Sequence, residues 1–237
     1  DWVNQSDKTF SKYITLGSKR GTDLRVFEQY SNGVKTQRDA WCYNYSLSAI
    51  EKNCSRMVSF YNECVNIYDG EPLPKIKKSV SLDPKKISWS DHLFANVSRG
   101  VSSSFSDGDV RICLYRPFSK TNLFYSRTFN DRPGKTSIIF PKPSCKTLNI
   151  IVNGVGSGKG FSCLLSDCIP DLHTLSTGQT FPISIFSSDF EDSGLFSKSA
   201  NDQKIVESDG ITHKGFEHFQ SAYSGQSFTK EDLFYYI

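Results

Sequence analysis

The chain lacks long apolar segments. Of its 237 residues 37% are hydrophobic, yet no run approaches the ~20 apolar residues that span a bilayer, and no signal peptide is present. These absences predict a cytoplasmic protein without a membrane partner. With 22% charged and 14% aromatic residues, a chain of this length can bury roughly 70% of its unfolded surface. We therefore expect an ordered core and not a disordered tail.

Recognisable catalytic and metal-binding motifs are also lacking. The seven cysteines are an odd number without Cys-x-x-Cys spacing, so we expect reduced thiols and no zinc or disulfide framework. The glycine-rich stretch 154–160 has Asn153 where a P-loop requires Gly, and Gly160 where it requires Ser or Thr, which argues against ATP binding. No Gly-x-Ser-x-Gly motif and no adenine methyltransferase motif occurs. We expect no catalytic residue, no metal and no cofactor in this chain.

Charge is unevenly distributed along the sequence. Residues 70–160 carry 15 basic and six acidic groups, whereas residues 161–237 carry four basic and 11 acidic groups. The net charge of +3 conceals this asymmetry. A cationic section of this size can neutralise the phosphates of a nucleic acid. The alternatives are that its lysines are scattered over the surface or that the two sections face each other.

Hydrophobic periodicity predicts one long helix over residues 46–68, because apolar residues recur there on one face. Ser48 with Glu51 resembles a capping box at its start, and Asp69-Gly70 ends it. A proline-bounded, lysine-rich connector over residues 70–87 follows. A shorter helix is predicted from Ser88 or Ser90 to about Val97.

Several short runs of β-branched and aromatic residues predict strands. They are separated by Gly, Pro, Asn and Asp and cover residues 110–115, 122–126, 137–140, 148–152, 161–165 and 181–186. The resulting class is α+β: a mixed, mostly antiparallel β-sheet with a long helix in the N-terminal half and a few flanking helices. We expect a single domain over 1–237, with a possible division into a helical part, 1–69, and a β-rich part, 70–237. The polar residues 187–227 are expected to be exposed.

The segment from Gly33 to Trp41 combines two cations, a hydroxyl, an amide and a carboxylate before a large aromatic. It opens on the turn-like Ser31-Asn32-Gly33, so we expect its polar side chains to protrude while Trp41 anchors its base. The alternative is an ordinary solvated turn before a buried aromatic residue.

Four segments in a fixed order resemble one family. They are Trp41-Cys42-Tyr43-Asn44-Tyr45-Ser46, Tyr115-Arg116-Pro117-Phe118-Ser119-Lys120, Asn153-Gly154-Val155-Gly156-Ser157-Gly158-Lys159-Gly160-Phe161 and Gln179-Thr180-Phe181-Pro182-Ile183. The set resembles the C-terminal target-recognition region of type ISP restriction–modification enzymes and their predicted-helicase relatives, and the similarity covers nearly the whole chain. Many relatives read Asp-x-Arg after Tyr-Arg-Pro-Phe, where this chain has Ser119-Lys120-Thr121. Roles of that Asp and Arg therefore do not carry over.

The resemblance implies a bacterial or archaeal enzyme of phage defence in which a nuclease, a helicase and an adenine methyltransferase precede this region. Its cofactors, S-adenosylmethionine, ATP and Mg²⁺, would belong to those parts. The implied partners of this chain are double-stranded DNA and the adjacent methyltransferase domain. The segment Thr229-Lys230-Glu231-Asp232 predicts a helix that starts with a capping box, yet only five residues follow it. Since the chain also begins without Met, at Asp1, we expect a fragment of a longer polypeptide.

The sequence thus predicts a DNA-recognition module with two groups of contacts. The predicted base readers are Lys35, Thr36, Gln37 and Arg38, and the predicted phosphate contacts are Lys120, Lys142, Lys146 and Lys159. Arg116 either reaches the DNA or braces the core through a buried carboxylate, and Phe118 is expected to pack beneath it. Two alternatives remain: a protein-interaction scaffold that couples the methyltransferase to the helicase, and a hydrolase built on Asp167, Asp171 and His173.

Overall fold

The computed structural model describes residues 13–19, 24–154, 157–188 and 205–237. The described residues form seven α-helices and ten β-strands in three mostly antiparallel sheets, which confirms the predicted α+β class. The chain divides into two compact units: a central unit, Ser31–Thr180, and a terminal unit made of Asp1–Tyr30 and Phe181–Ile237. The division considered at residues 69/70 lies inside the central unit, and the single-domain assignment stays a prediction.

The central unit holds most of the regular elements. In chain order they are β1 (Ser31–Asn32), α1 (Asp39–Cys42), β2 (Tyr43–Asn44), α2 (Leu47–Tyr68), α3 (Leu73–Ser79), α4 (Asp91–Ser98), β3 (Val110–Arg116), β4 (Ser119–Phe124), α5 (Thr136–Ile139), β5 (Asn149–Val152), β6 (Cys163–Ser166), β7 (Ile169–Pro170) and β8 (Gln179–Pro182), whose last two residues enter the terminal unit. The terminal unit adds β9 (Ser184–Ser188), β10 (Ile205–Asp209), α6 (His213–Ala222) and α7 (Lys230–Tyr236).

Two four-stranded sheets organise the central unit. One has the order β2-β4-β3-β7, with β3 and β4 as an antiparallel hairpin and β7 parallel to β3. The other has the order β1-β8-β5-β6. In the hairpin Val110 lies opposite Phe124 and Arg116 opposite Ser119. Its tip is therefore the two-residue turn Pro117-Phe118.

The long helix α2 confirms the periodicity argument. Ser46, not Ser48, is its N-cap, and the Ser46 side chain accepts a hydrogen bond from the Ala49 amide. Its buried face consists of Ile50, Cys54, Met57, Val58, Tyr61, Cys64 and Val65. Leu47 also has the helical spacing of this face, yet it is exposed. The helix ends at Asp69, as expected, and Gly70 adopts a φ of 74°.

Two local predictions are wrong. The strand expected over 137–140 is helix α5, because the short apolar run Ile138-Ile139-Phe140 fits a buried helical turn as well as a strand. The connector 70–87 contains α3, whose prolines stand at its N-cap and in its first turn, where the missing N–H costs nothing. The polar stretch 187–227, expected to be exposed, is mostly exposed over its described part, which contains β10 and α6. Residues 189–204 lie outside the described ranges.

The terminal unit has a small core of its own. Phe27 packs against Phe181 and Phe234, with ring centroids 5.3 and 6.2 Å apart. The strands β9 and β10 pair antiparallel. Helix α7 begins with the predicted capping box, in which Thr229 and Asp232 bond reciprocally. None of the described helices is long and apolar enough to cross a membrane.

Candidate nucleic-acid interface

The segment that follows Gly33 is a buried strand-like piece of chain, not a protruding turn. The Val34 amide donates to the carbonyl of Pro170 (2.9 Å), and the Leu172 amide donates to the carbonyl of Val34 (2.8 Å). On its other side Lys35 and Arg132 exchange two backbone hydrogen bonds of 3.0 Å each. Remote segments on both sides therefore fix the backbone of this motif.

Glycine is required at position 33, where this segment lies against the backbone of Asp171. A Cβ on Gly33 would lie 2.5 Å from the carbonyl oxygen of Asp171, which is backbone and has little freedom to move. The preceding residues, expected to form a turn, are strand β1, in which Ser31 pairs with Thr180. The packing of two backbones thus explains the small residue at the start of the motif.

Two of the four predicted base readers are buried. Arg38 is 2% exposed, and its guanidinium donates to the carbonyls of Thr36 (2.9 Å), Ser88 (3.0 Å) and Phe129 and to the hydroxyl of Ser90 (2.8 Å). Burial lowers the pKa of Arg38. The buried hydroxyl of Thr36 donates to the Asp39 carboxylate. Both side chains serve the core of the central unit and do not reach its surface.

The other two predicted base readers face outward. Gln37 is exposed and has a φ of 59°, the left-handed conformation that few non-glycine residues adopt. Lys35 is half-buried, with its Nζ 3.9 Å from Oδ2 of Asp131. Trp41 is buried as predicted and donates from Nε1 to the carbonyl of Pro84 (3.2 Å). The motif therefore presents two polar tips, Lys35 and Gln37, on a rigid base.

A network of two carboxylates and one guanidinium joins this motif to the hairpin. Buried Asp171 accepts hydrogen bonds from the Tyr43 hydroxyl (3.0 Å), from Nη1 of Arg116 (2.8 Å) and from the His173 amide (2.9 Å). Burial raises the pKa of Asp171, while these three partners act in the opposite direction. Arg116 is in addition 3.8 Å from Oδ2 of Asp39.

Arg116 is also held against an aromatic ring. Its guanidinium carbon lies 3.8 Å from the centroid of the Tyr115 ring, and the Tyr115 hydroxyl donates to Oδ2 of Asp39 (3.0 Å). Of the two roles considered for Arg116, these contacts match the bracing one. The network fixes both ends of the interface: Asp39 follows the tip at Gln37, and Arg116 precedes the hairpin turn.

The hairpin turn overturns one expectation. Phe118, expected to pack beneath Arg116, is 88% exposed and has a φ of 63°. The turn between β3 and β4 spans only Pro117 and Phe118, and its second residue adopts the left-handed conformation and projects away from the sheet.

Beside the hairpin lies a groove of about 530 Å³, called here the cationic groove. Its charged lining residues are Arg111, Lys120, Lys142, Lys146, Asp107 and Asp167. Three of the four predicted phosphate contacts thus come together, although Lys120 is separated from Lys142 and Lys146 by more than 20 residues. The exposed face of the hairpin, with Ile112 and Asn122, also lines the groove.

One carboxylate in the groove is paired. Nζ of Lys120 is 2.7 Å from Oδ1 of Asp167. The hydrogen bond from Lys120 lowers the pKa of Asp167 to about 2, and the pKa of Lys120 is raised in turn. Both groups are charged at neutral pH. Lys142 and Lys146 are exposed, and within the described ranges neither belongs to an ion pair.

Arg111 is a cation of the groove that the sequence analysis did not single out. Its guanidinium donates to the carbonyl of Gly108 (2.6 Å), and burial lowers its pKa. In the sequence Arg111 stands between two apolar residues at the start of β3. This alternation predicts that its side chain lies on one face of the strand, but it does not predict a groove on that face.

Other cations lie away from the groove. Lys159 is exposed in the loop after β5, where the Asn153 side chain donates to the carbonyls of Lys159 and Gly160; Val155 and Gly156 of the same motif lie outside the described residues. Lys75 and Lys77 pair with Glu71 and Asp91 around α3 and α4. For Lys75, Lys77 and Lys159 the alternative interpretation applies, in which the lysines are scattered over the surface.

The hydrolase alternative finds no support in the geometry. Asp167 pairs with Lys120, Asp171 pairs with Arg116, and the two carboxylates therefore serve separate cations. Within the part of the chain that the structure describes, no group of three His, Cys, Asp or Glu side chains could hold a metal ion.

The charge asymmetry follows the structural division. The central unit has 19 basic and 12 acidic residues, a net charge of +7, and the terminal unit has nine basic and 13 acidic residues, a net charge of −4. The groove and both polar tips belong to the cationic unit.

Comparison with known proteins gives one family and several solved structures. A family model described as the type ISP C-terminal specificity domain matches residues 25–237. A nuclease-deletion mutant of the type ISP restriction-modification enzyme LlaGI, in complex with a DNA substrate mimic, is 27% identical with a TM-score of 0.75, over 94% of this chain and 17% of that one. The ATP-dependent type ISP enzyme LlaBIII bound to DNA is 27% identical with a TM-score of 0.78, over 98% and 14%.

A third structure, a DrdV–DNA complex, is 23% identical with a TM-score of 0.79, over 99% of this chain and 22% of that one. At this level of identity the similarity concerns the fold only. The chain spans less than a quarter of the length of each of these three. No curated protein matches it.

Proposed function

Because the chain belongs to the type ISP C-terminal specificity domain family, we propose that it recognises a target sequence in duplex DNA on behalf of a larger restriction–modification enzyme. In this proposal the chain has no catalytic role. It positions DNA for an adjacent adenine methyltransferase domain and for a helicase and nuclease further upstream. S-adenosylmethionine, ATP and Mg²⁺ belong to those domains, and the site of action is the cytoplasm of a bacterium or archaeon.

The cationic groove is the observation that supports this proposal most strongly. Four cations from three segments line one groove together with two carboxylates, in a unit with a net charge of +7. Charges that gather in this way attract a polyanion and displace its counterions. We assign phosphate contacts to Lys120, Lys142 and Lys146, and Lys159 would extend the contact from the loop after β5.

Base reading is proposed for Lys35 and Gln37 only. A glutamine can bond adenine at two atoms and a lysine can bond guanine, each worth about 1–3 kcal/mol of discrimination. Bidentate reading needs a fixed backbone, and the hydrogen bonds of Lys35 and Val34 to distant segments supply one. Thr36 and Arg38 hold this backbone in place from beneath.

A protein scaffold is the second candidate function. The terminal unit, with its net charge of −4, is the surface that would suit a protein partner, such as the methyltransferase or helicase part of the same polypeptide. The two functions differ in what happens to DNA binding when the groove loses its charge.

The test is the salt dependence of duplex binding by the full-length enzyme that contains this chain. Each phosphate contact contributes about 0.9 to the slope of log affinity against log salt. The double variant Lys142→Ala/Lys146→Ala should reduce that slope by about 1.8 and weaken binding to all sequences alike.

The matched control is Lys78→Ala/Lys85→Ala, which removes the same charge from exposed lysines outside the groove. An unchanged slope in the groove variant, or an equal decrease in the control, would refute the phosphate assignment. Normal DNA binding together with lost coupling between methylation and translocation would favour the scaffold.

A further inference from the structure

The hairpin tip carries an aromatic side chain that the proposed contacts do not use. Phe118 is 88% exposed at the turn between β3 and β4. We propose that Phe118 stacks against the face of a base at one step of the bound duplex, as an apolar wedge beside the phosphate contacts. This inference rests on the proposed function and adds a residue to it.

The backbone at Phe118 is the first argument. The second central residue of a Pro-x turn with positive φ is usually Gly or Asn, because a larger side chain is strained there. Phe118 has a φ of 63° and gains no burial in exchange. Since no burial compensates for this strained backbone, we infer that Phe118 contacts another molecule.

The rigidity of the tip is the second argument, because a wedge must hold its orientation while it unstacks a base step. On one side of the turn Arg116 is bonded to Asp171 and stacked on Tyr115. On the other side the Ser119 hydroxyl is 2.8 Å from the hydroxyl of Tyr45. Both strands are thus held at the residue next to the turn.

The neighbourhood of Phe118 is the third argument, and it favours DNA over a protein partner. Phe118 lines a second groove of about 570 Å³, with Leu148, Leu164 and Leu165 among its other lining residues. Lys120 and Asp167 line both this groove and the cationic groove. A phosphate at Lys120 would therefore place its own base beside an apolar surface that ends in Phe118.

The experiment uses the full-length enzyme and a series of duplexes that contain its methylation target, each with 2-aminopurine at one position. The fluorescence of 2-aminopurine rises when the base is unstacked by a wedge and falls when an aromatic ring stacks on it. The wild type should change the signal at one position or at two adjacent positions. Phe118→Gly should abolish that change and weaken binding by about 5- to 150-fold, the range of an aromatic–base stack.

Phe118→Gly is informative because it relieves the left-handed backbone. It should therefore unfold at the same temperature as the wild type or at a higher one, so a loss of binding could not come from misfolding. Phe118→Trp should retain the signal, and the slope of affinity against salt should be the same in all three proteins. Ile67→Ala, at a 68% exposed apolar residue on α2, is the control for loss of an exposed apolar side chain and should behave as the wild type.

The experiment distinguishes failure of the wedge inference from failure of the proposed function. Wild-type affinity and signal in Phe118→Gly would overturn the inference and leave the proposed function intact. Unchanged DNA affinity with increased proteolysis between this domain and its neighbours would also overturn it, since Phe118 would then dock against protein. Absence of salt-dependent duplex binding by the wild type would reject the proposed function, and with it the wedge.

Discussion

Replacing Arg38 by Ala tests whether this arginine supports the fold or reads DNA. The guanidinium makes four hydrogen bonds in the interior, three of them to backbone carbonyls of Thr36, Ser88 and Phe129. Hydrogen bonds that involve a charged group contribute about 1.5–3 kcal/mol each, although losses within one network do not add. The desolvation that lowers the pKa of Arg38 offsets part of this gain. We expect a net loss of about 3 kcal/mol.

For a chain of this size a loss of 1 kcal/mol lowers the unfolding temperature by about 2–4 °C. Arg38→Ala should therefore lower it by about 6–12 °C, measured by circular dichroism on the 237-residue chain. Gln37→Ala is the neighbouring control: its side chain is exposed, and its stability should stay within about 0.5 kcal/mol of the wild type. Arg38→Ala with wild-type stability and reduced DNA affinity would refute the structural role and return Arg38 to the base readers.

Two further predictions concern the interface. Asp167→Asn removes a carboxylate from the cationic groove and should tighten binding to non-target DNA severalfold in titrations at low salt; weaker binding would count against the groove. Since the pKa of Asp167 is lowered to about 2, its pairing with Lys120 stabilises the fold fully above the unfolded pKa of about 4, and this stabilisation is lost as the pH falls through 2. Both side chains are about half exposed, so the gain in the free energy of unfolding is under about 1 kcal/mol. Urea titrations at pH 7 and pH 2 should show a smaller stability difference between wild type and variant at the lower pH. Gln37→Ala should relax the methylated sequence at one base pair, by about 1–3 kcal/mol of discrimination, and methylome sequencing that finds an unchanged motif would remove Gln37 from the readers.

Structural elements that depend only on residues close together in the sequence could be predicted. The seven buried residues of α2 repeat at helical spacing, and the capping box at Thr229 is complete within four residues, so both were predicted correctly. Helix α5 was missed because its four residues give no periodicity to read. Its conformation depends on the packing of Ile139, which is buried in the core of the central unit.

The candidate site could be predicted only in part, for a similar reason. The sequence indicates that Thr36 and Arg38 are polar. It does not indicate that Ser88, Ser90 and Phe129, which follow 50 to 91 residues later, surround the Arg38 guanidinium. The excess of cations over residues 70–160 was visible, whereas their separation into a groove and a set paired around α3 depends on tertiary structure. The exposure of Phe118 could not be predicted either, since an aromatic residue after a strand is normally buried.

The alternation of side chains along the segment after Gly33 has a consequence for how such a domain could acquire new targets. Val34, Thr36 and Arg38 point into the protein, while Lys35 and Gln37 point out of it. If Lys35 and Gln37 read bases as proposed, mutations at these two outward positions alter the preferred bases without disturbing the interior. Substitutions at the three inward positions would instead destabilise the fold. A library randomised at 35 and 37 alone would therefore be the economical starting point for retargeting the enzyme.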